Sequence, residues 1–185
     1  ELNTVQRMLN VFWNVCVFTS TYMELDGFSG DLALPDVEGH LRSEDRWLLS
    51  KMNSVIQGTT KSMEEMNFLH ATRRLQQFIL DDLSRWYVRL ARGRTWVESD
   101  DPDKLACYFS LYYAINRLLR ILAPIVPHLT EEIHRKMMDG EGSVESVHLE
   151  DWPEVEGALI DDKLERSMEI TQSLVESALA ARQKS

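Results

Sequence analysis

"NFLHATRRLQQFILDDLSRWYVRLA", residues 67–91, carries Phe68, Ala71, Leu75, Ile79, Leu83, Trp86 and Leu90 at steps of three and four. That spacing returns to one side of an α-helix at every turn, so it predicts a long helix whose stripe faces a core.

The flanking segments read the same way. Leu2, Val5, Leu9, Phe12, Trp13 and Cys16 predict a first helix over about 2–22, which starts with no capping residue or initiating Met and so reads as a piece of something longer. "LDGFSGDLALPDVEGH", residues 25–40, is a connector by its turn residues. Ser43 is placed to cap a second helix, Glu44 and Asp45 complement its N-terminal dipole, and Leu48, Met52, Val55 and Thr59 line one face. Asp101 followed by Pro102 opens a fourth helix, where Leu105, Tyr108, Tyr112, Ile115, Leu119 and Leu122 predict burial on most sides. Pro124 and Pro127 end or kink it, and Leu129, Ile133 and Met137 give a short fifth helix.

Residues 139–157 read as a loop with an extended segment at "SVHL", after which Asp161 or Asp162 starts an amphipathic helix through Leu164, Met168, Val175 and Leu179. No internal repeat is visible. The expectation is an all-α, antiparallel bundle of about five or six helices over 1–160, with 161–185 a helix leading into a further C-terminal region.

The chain has 185 residues, with 20 Lys and Arg against 30 Asp and Glu, a formal net charge of -10. Such an average field repels phosphate, so nucleic-acid binding would need a local basic patch. Cys16 and Cys107 each sit in an apolar helical pattern and give no disulfide framework or metal clip, which points to a reducing compartment. No run approaches the ~20 apolar residues of a membrane span, and a soluble cytoplasmic protein is expected.

Two Glu-x-x-His pairs, Glu131/His134 and Glu145/His148, recur in di-iron bundles, but the second lies in the Gly-flanked loop and no further inward Glu completes a set, so no metal site is expected. "SKMNS", residues 50–54, lacks the second Lys of a Lys-Met-Ser-Lys-Ser loop, and its Met52 falls on a core stripe. No Gly-rich phosphate cradle, nucleophile elbow or zinc motif is present, and no catalytic residue is assigned.

The basic patch is found in "DLSRWYVRLARGRTW", residues 82–96, where Arg85, Arg89, Arg92 and Arg94 occur without an Asp or Glu after Asp82. At 100° per residue Arg85, Arg89 and Arg92 fall in a narrow arc outside the Leu83/Trp86/Leu90 stripe, with Phe78 near the same line. Guanidinium forks suit phosphate oxygens and exposed aromatics stack on unpaired bases, so Arg85, Arg89, Arg92, Arg94 and Trp96 are the candidate RNA-contacting residues. Against this, Arg85 follows Asp81 and Asp82 at helix ion-pair spacing, and Trp86 sits on the core stripe. Arg117 and Arg120 either extend the patch or satisfy carboxylates inside the bundle.

"DRWLLSKMNSVIQ", "DDLSRWYVRLARGRTW", "LLRILAPIVPHLTEEIHRKM" and "SVHLEDWPEV", in this order, closely resemble the anticodon-binding helical domain of isoleucyl-tRNA synthetases. Valyl- and leucyl-tRNA synthetases have related domains; the "LSRWYVRL" and "SVHLEDWP" segments favour the isoleucine family. The resemblance implies a module that holds the anticodon stem-loop of isoleucine tRNA while a catalytic domain, absent here, uses ATP to charge the acceptor end. It implies no cofactor in this region, and as partners isoleucine tRNA and the catalytic and C-terminal domains of the same polypeptide. The other reading is a structural bundle, an interdomain strut whose arginines are paired internally.

Overall fold

A computed structural model describes residues 2–28, 30, 32–96, 101–137 and 144–184. It is an all-α bundle, as the sequence predicts. The helices are α1 (Leu2–Leu25), the one-turn α2 (Leu34–Val37), α3 (Ser43–Glu64), α4 (Phe68–Gln77), α5 (Val88–Thr95), α6 (Pro102–Leu122), α7 (Pro127–Met137) and α8 (Asp162–Lys184). Between α4 and α5 the backbone stays helical but widens into a π segment, Phe78–Tyr87, where the Val88 N–H donates to the Leu83 carbonyl five residues back. Residues 68–95 are therefore one rod with a wide middle.

The widening sets which side chains face inward. Ala71, Leu75, Ile79, Leu83, Tyr87, Ala91 and Thr95 are all buried, at a constant step of four. Four residues overshoot a turn of an α-helix and undershoot a π turn, so the two errors cancel along the rod. The expected stripe holds from Ala71 to Leu83 and then shifts by one residue. Leu90, expected inside, is 41% exposed, and Tyr87 and Ala91 are inside instead. At the other end Phe68 is exposed, and Phe78, expected beside the arginines, is buried.

Turns and caps follow local chemistry. Asn67 Oδ1 accepts the His70 N–H at the start of α4, Asp101 Oδ1 that of Asp103, and Asp161 Oδ1 those of Lys163 and Leu164. Ser43 is already helical; Asp45 takes over the cap by accepting the Arg42 N–H at 2.8 Å. "SVHL" is not extended: Val147–Leu149 forms a 3-10 turn because Glu131 accepts both the Ser146 hydroxyl and the Val147 N–H. The expected loop's first residues, 139–143, lie outside the described residues.

Asn53 on α3 donates to the Tyr113 hydroxyl on α6, so these two helices pack directly on each other, and Arg94 docks the end of the rod on both through Asp45 and Asp103. Trp47, Leu48, Met52 and Ile56 of α3, Phe12 of α1 and Tyr108, Leu111, Ile115 and Leu118 of α6 fill the core. The Met52 side chain is fully buried and Lys51 pairs with Glu169 at 3.3 Å. The first half of α8 packs on α3 and the rod. Glu165 accepts from Ser50 and Ser54, and Trp86 Nε1 lies 3.1 Å from the Met168 sulfur.

One buried carboxylate under α8 titrates out of its usual range. Asp82 faces Lys51, Gln172 and Glu169 beside Asp81, and burial pushes it from 3.8 up to about 6 against the pull of Lys51. Between those values the folded chain binds the proton better than the unfolded chain, so stability falls as pH rises through that window. Asp82→Asn should therefore raise stability by up to about 3 kcal/mol near pH 7.5 and by little near pH 4, read from urea midpoints.

Candidate nucleic-acid interface

The five sequence-predicted residues divide into an outer and an inner set. Arg85, Arg89, Arg92 and Trp96 are exposed; Arg94 is 5% exposed and lies inside the bundle. The shifted phase of the rod is the physical reason. After the wide segment the inward faces of α5 are Val88, Ala91, Arg94 and Thr95, so the helix turns Arg94 toward α3 and α6.

There the guanidinium is saturated. Arg94 Nη1 donates to Asp45 Oδ1 at 2.7 Å, Nε to Asp103 Oδ2 at 3.1 Å and Nη2 to the Asp103 carbonyl at 2.7 Å. Asp45 is fully buried and also accepts from the Tyr87 hydroxyl at 2.5 Å, while Asp103 is gripped from outside by Arg42 at 2.7 Å. Burial works against the charged guanidinium, but the Asp45 hydrogen bond together with the attraction of Asp45, Cys107 and Tyr87 outweighs it and holds Arg94 protonated. Burial also pushes the neighbouring Cys107 thiol up to about 12, leaving it an inert core group. Arg94 joins three elements and has no donors aimed at solvent for a phosphate. Arg94 therefore leaves the RNA-contacting set.

The outer set is placed differently. Arg89 Cζ sits 5.9 Å from the Trp86 ring centroid, and Arg92 Cζ sits 5.7 Å from the Phe18 ring of α1. Both guanidiniums rest on aromatic faces, which position them without neutralising them. Among the described residues no carboxylate lies within ion-pair distance of either. Arg85 is tied at 2.8 Å to Asp81, one turn back. Trp86 is half-buried beneath α8, as its place on the stripe suggests, whereas Trp96, 73% exposed, caps the end of α5. The arrangement is an exposed face with two guanidiniums free of carboxylates, Arg89 and Arg92, and an exposed indole at the end of the same helix. It can accept anionic oxygens and one planar ring.

The other candidates resolve as structural. Arg117 pairs with Glu156 and stacks on the Tyr113 ring, and Arg120 lies 3.4 Å from Glu150. Glu131 is spent on Ser146, Val147 and Arg135, and His134 bonds the Val144 carbonyl at 2.8 Å. Among the described residues no cluster of His, Cys, Asp and Glu could hold a metal ion, and no helix is long and apolar enough to cross a membrane.

Residues 45–185 match the family described as the anticodon-binding domain of tRNA ligase, and the chain belongs to that family. Its relatives there are isoleucine–tRNA ligases. That of Methanopyrus kandleri is 46% identical over 185 residues, which is 100% of this chain and 17% of the relative. Pyrococcus abyssi gives 49% over 180 residues, 97% of this chain and 17% of the relative, and Thermococcus kodakarensis 46% over 183 residues, 99% and 17%. The chain thus spans about a sixth of the length of these proteins.

The two sets separate in stability. Arg94→Ala leaves Asp45 buried without its counter-charge and should cost about 3–5 kcal/mol in urea unfolding, whereas Arg89→Ala and Arg92→Ala, which lose only surface packing, should stay within about 0.5 kcal/mol of the parent.

Proposed function

We propose that this chain is the tRNA-binding domain of an isoleucine–tRNA ligase of the cytoplasm. It holds the anticodon stem-loop of isoleucine tRNA while a catalytic domain elsewhere in the polypeptide uses ATP to join isoleucine to the acceptor end. The family and its isoleucine-ligase relatives support the class of the reading. The observation that carries it to residues is the pair Arg89 and Arg92, held on aromatic faces without counter-charge in a chain of net charge -10.

The work divides by chemistry. Arg89 and Arg92 fork to backbone phosphates, Arg85 joins them by exchanging Asp81 for a phosphate oxygen, and Trp96 offers a flat face to an unstacked loop base. This domain performs no bond chemistry; its contribution is position, fixing one end of an elongated RNA so that the other end reaches a distant active site.

Arg94 favours the strut reading for its own position, because its pairing with Asp45 and Asp103 is internal. A strut with no RNA affinity leaves Arg89 and Arg92 without a task. Titration of labelled isoleucine tRNA should therefore give binding that weakens steeply with salt, and Arg89→Ala with Arg92→Ala should reduce the slope of log affinity against log salt by about 0.7–0.9 per lost contact. Binding unchanged by the double substitution would contradict the assignment.

A further inference from the structure

The step of four that buries one line of the rod exposes the opposite one. Two residues on from each buried position lie Arg73, Gln77, Asp81, Arg85, Arg89 and Gly93, all exposed or, for Asp81, half-exposed. This outer line carries Arg73 at one end and Arg85 and Arg89 at the other, with Arg74 beside the first and Arg92 beside the second. Its single acid, Asp81, is already neutralised by Arg85.

Arg73 and Arg74 have not been absorbed by the fold. In an acidic chain, exposed helical cations find carboxylates one turn away, as Arg135 does with Glu131 and Lys136 with Glu132. Among the described residues neither Arg73 nor Arg74 has such a partner, and neither was on the candidate interface. Arg74 is also given a seat. Its guanidinium lies across α3 at Gly58, where an added Cβ would come within 2.5 Å of the Arg74 Cζ. A side chain at position 58 would lift it, and glycine there lets the guanidinium lie against α3.

We propose that Arg73, supported by Arg74, is a second phosphate foothold, so that an RNA stem lies along the rod and is gripped at two separate stretches of its backbone. The proposal rests on the reading of the chain as an RNA-binding domain. Arg73 and Arg89 are sixteen residues apart, which at ~1.5 Å per residue or slightly less is roughly 20 Å along the rod. A duplex carries about one phosphate charge per 1.7 Å of axis, so a span of that length faces on the order of ten phosphates. Between Arg73 and Arg85 the outer line holds no cation, only Gln77 and Asp81, whose charge Arg85 offsets in the free chain. Two charged ends around a middle without a cation suit two backbone stretches with a groove between them, rather than one strand followed continuously.

The test is binding of the whole chain to the anticodon stem-loop of isoleucine tRNA at low salt, with the native stem and with a stem shortened at the end away from the loop. Arg73→Ala should weaken binding to the native stem by about fivefold and lower the salt slope, and Arg73→Lys should recover part of the loss because it restores the charge. On the shortened stem Arg73→Ala should change nothing, while Arg89→Ala still weakens binding. A loss from Arg73→Ala that is equal on both stems would overturn the two-stretch geometry. No loss from Arg73→Ala alongside a clear loss from Arg89→Ala would overturn the second foothold and leave the RNA reading standing. If neither substitution matters on either stem, the RNA reading falls as well.

Discussion

The buried pair between Arg94 and Asp45 is the contact on which the arrangement of the bundle turns. It fixes the end of the rod against α3 and, through Asp103, against the start of α6. Exchanging such a pair for apolar side chains of the same volume is often neutral, because two charges taken out of water cost about what their attraction returns. Its importance is geometric. Asp45 collects the Arg42 N–H, the Tyr87 hydroxyl and the Arg94 guanidinium, three donors whose directions agree only when α3 and the rod are in one register. Removing one partner leaves a charge inside with nothing to answer it.

That register depends in turn on the wide segment Phe78–Tyr87. A rod with α-helical turns throughout would carry the stripe past the core by its far end and turn Arg94 away from Asp45. The π turns hold the rotation back, so one arginine of the four is taken inside as an anchor and three stay outside. The same rotation that makes the anchor also aligns Arg73, Arg85 and Arg89 on one edge. Structure and candidate interface therefore share a single cause.

Much of this was legible in the residues. The stripes of α3 and α6, the cap at Asp101 and the packing role of Trp86 follow from spacing and side-chain chemistry. From Ala71 to Leu83 the α-helical spacing gives the buried line, because an α-helix and the true backbone agree over that stretch. Beyond it, Leu90 and Arg94 were assigned opposite sides to the ones they take. The signal that separates them is the unbroken step of four from Ala71 to Thr95, small or apolar at every position except the last. A helix with 3.6 residues per turn cannot keep such a line on one face over six steps. Arg73 stands far in sequence from the cluster of four, and only the straightened outer line brings it into the same row.

An acidic chain that binds RNA must keep its positive charge local and unspent. Here Asp45 and Asp103 are engaged by Arg94 and Glu169 by Lys51, while Asp81 offsets Arg85 and leaves Arg89 and Arg92 unpaired. The most direct test of this division of labour is arginine modification by phenylglyoxal, read residue by residue by mass spectrometry with and without isoleucine tRNA. Arg89 and Arg92 should react in the free protein and be protected by the tRNA, and Arg94 should stay unreactive in both. Arg94 reacting as fast as Arg89, or tRNA protecting none of the outer arginines, would contradict the account.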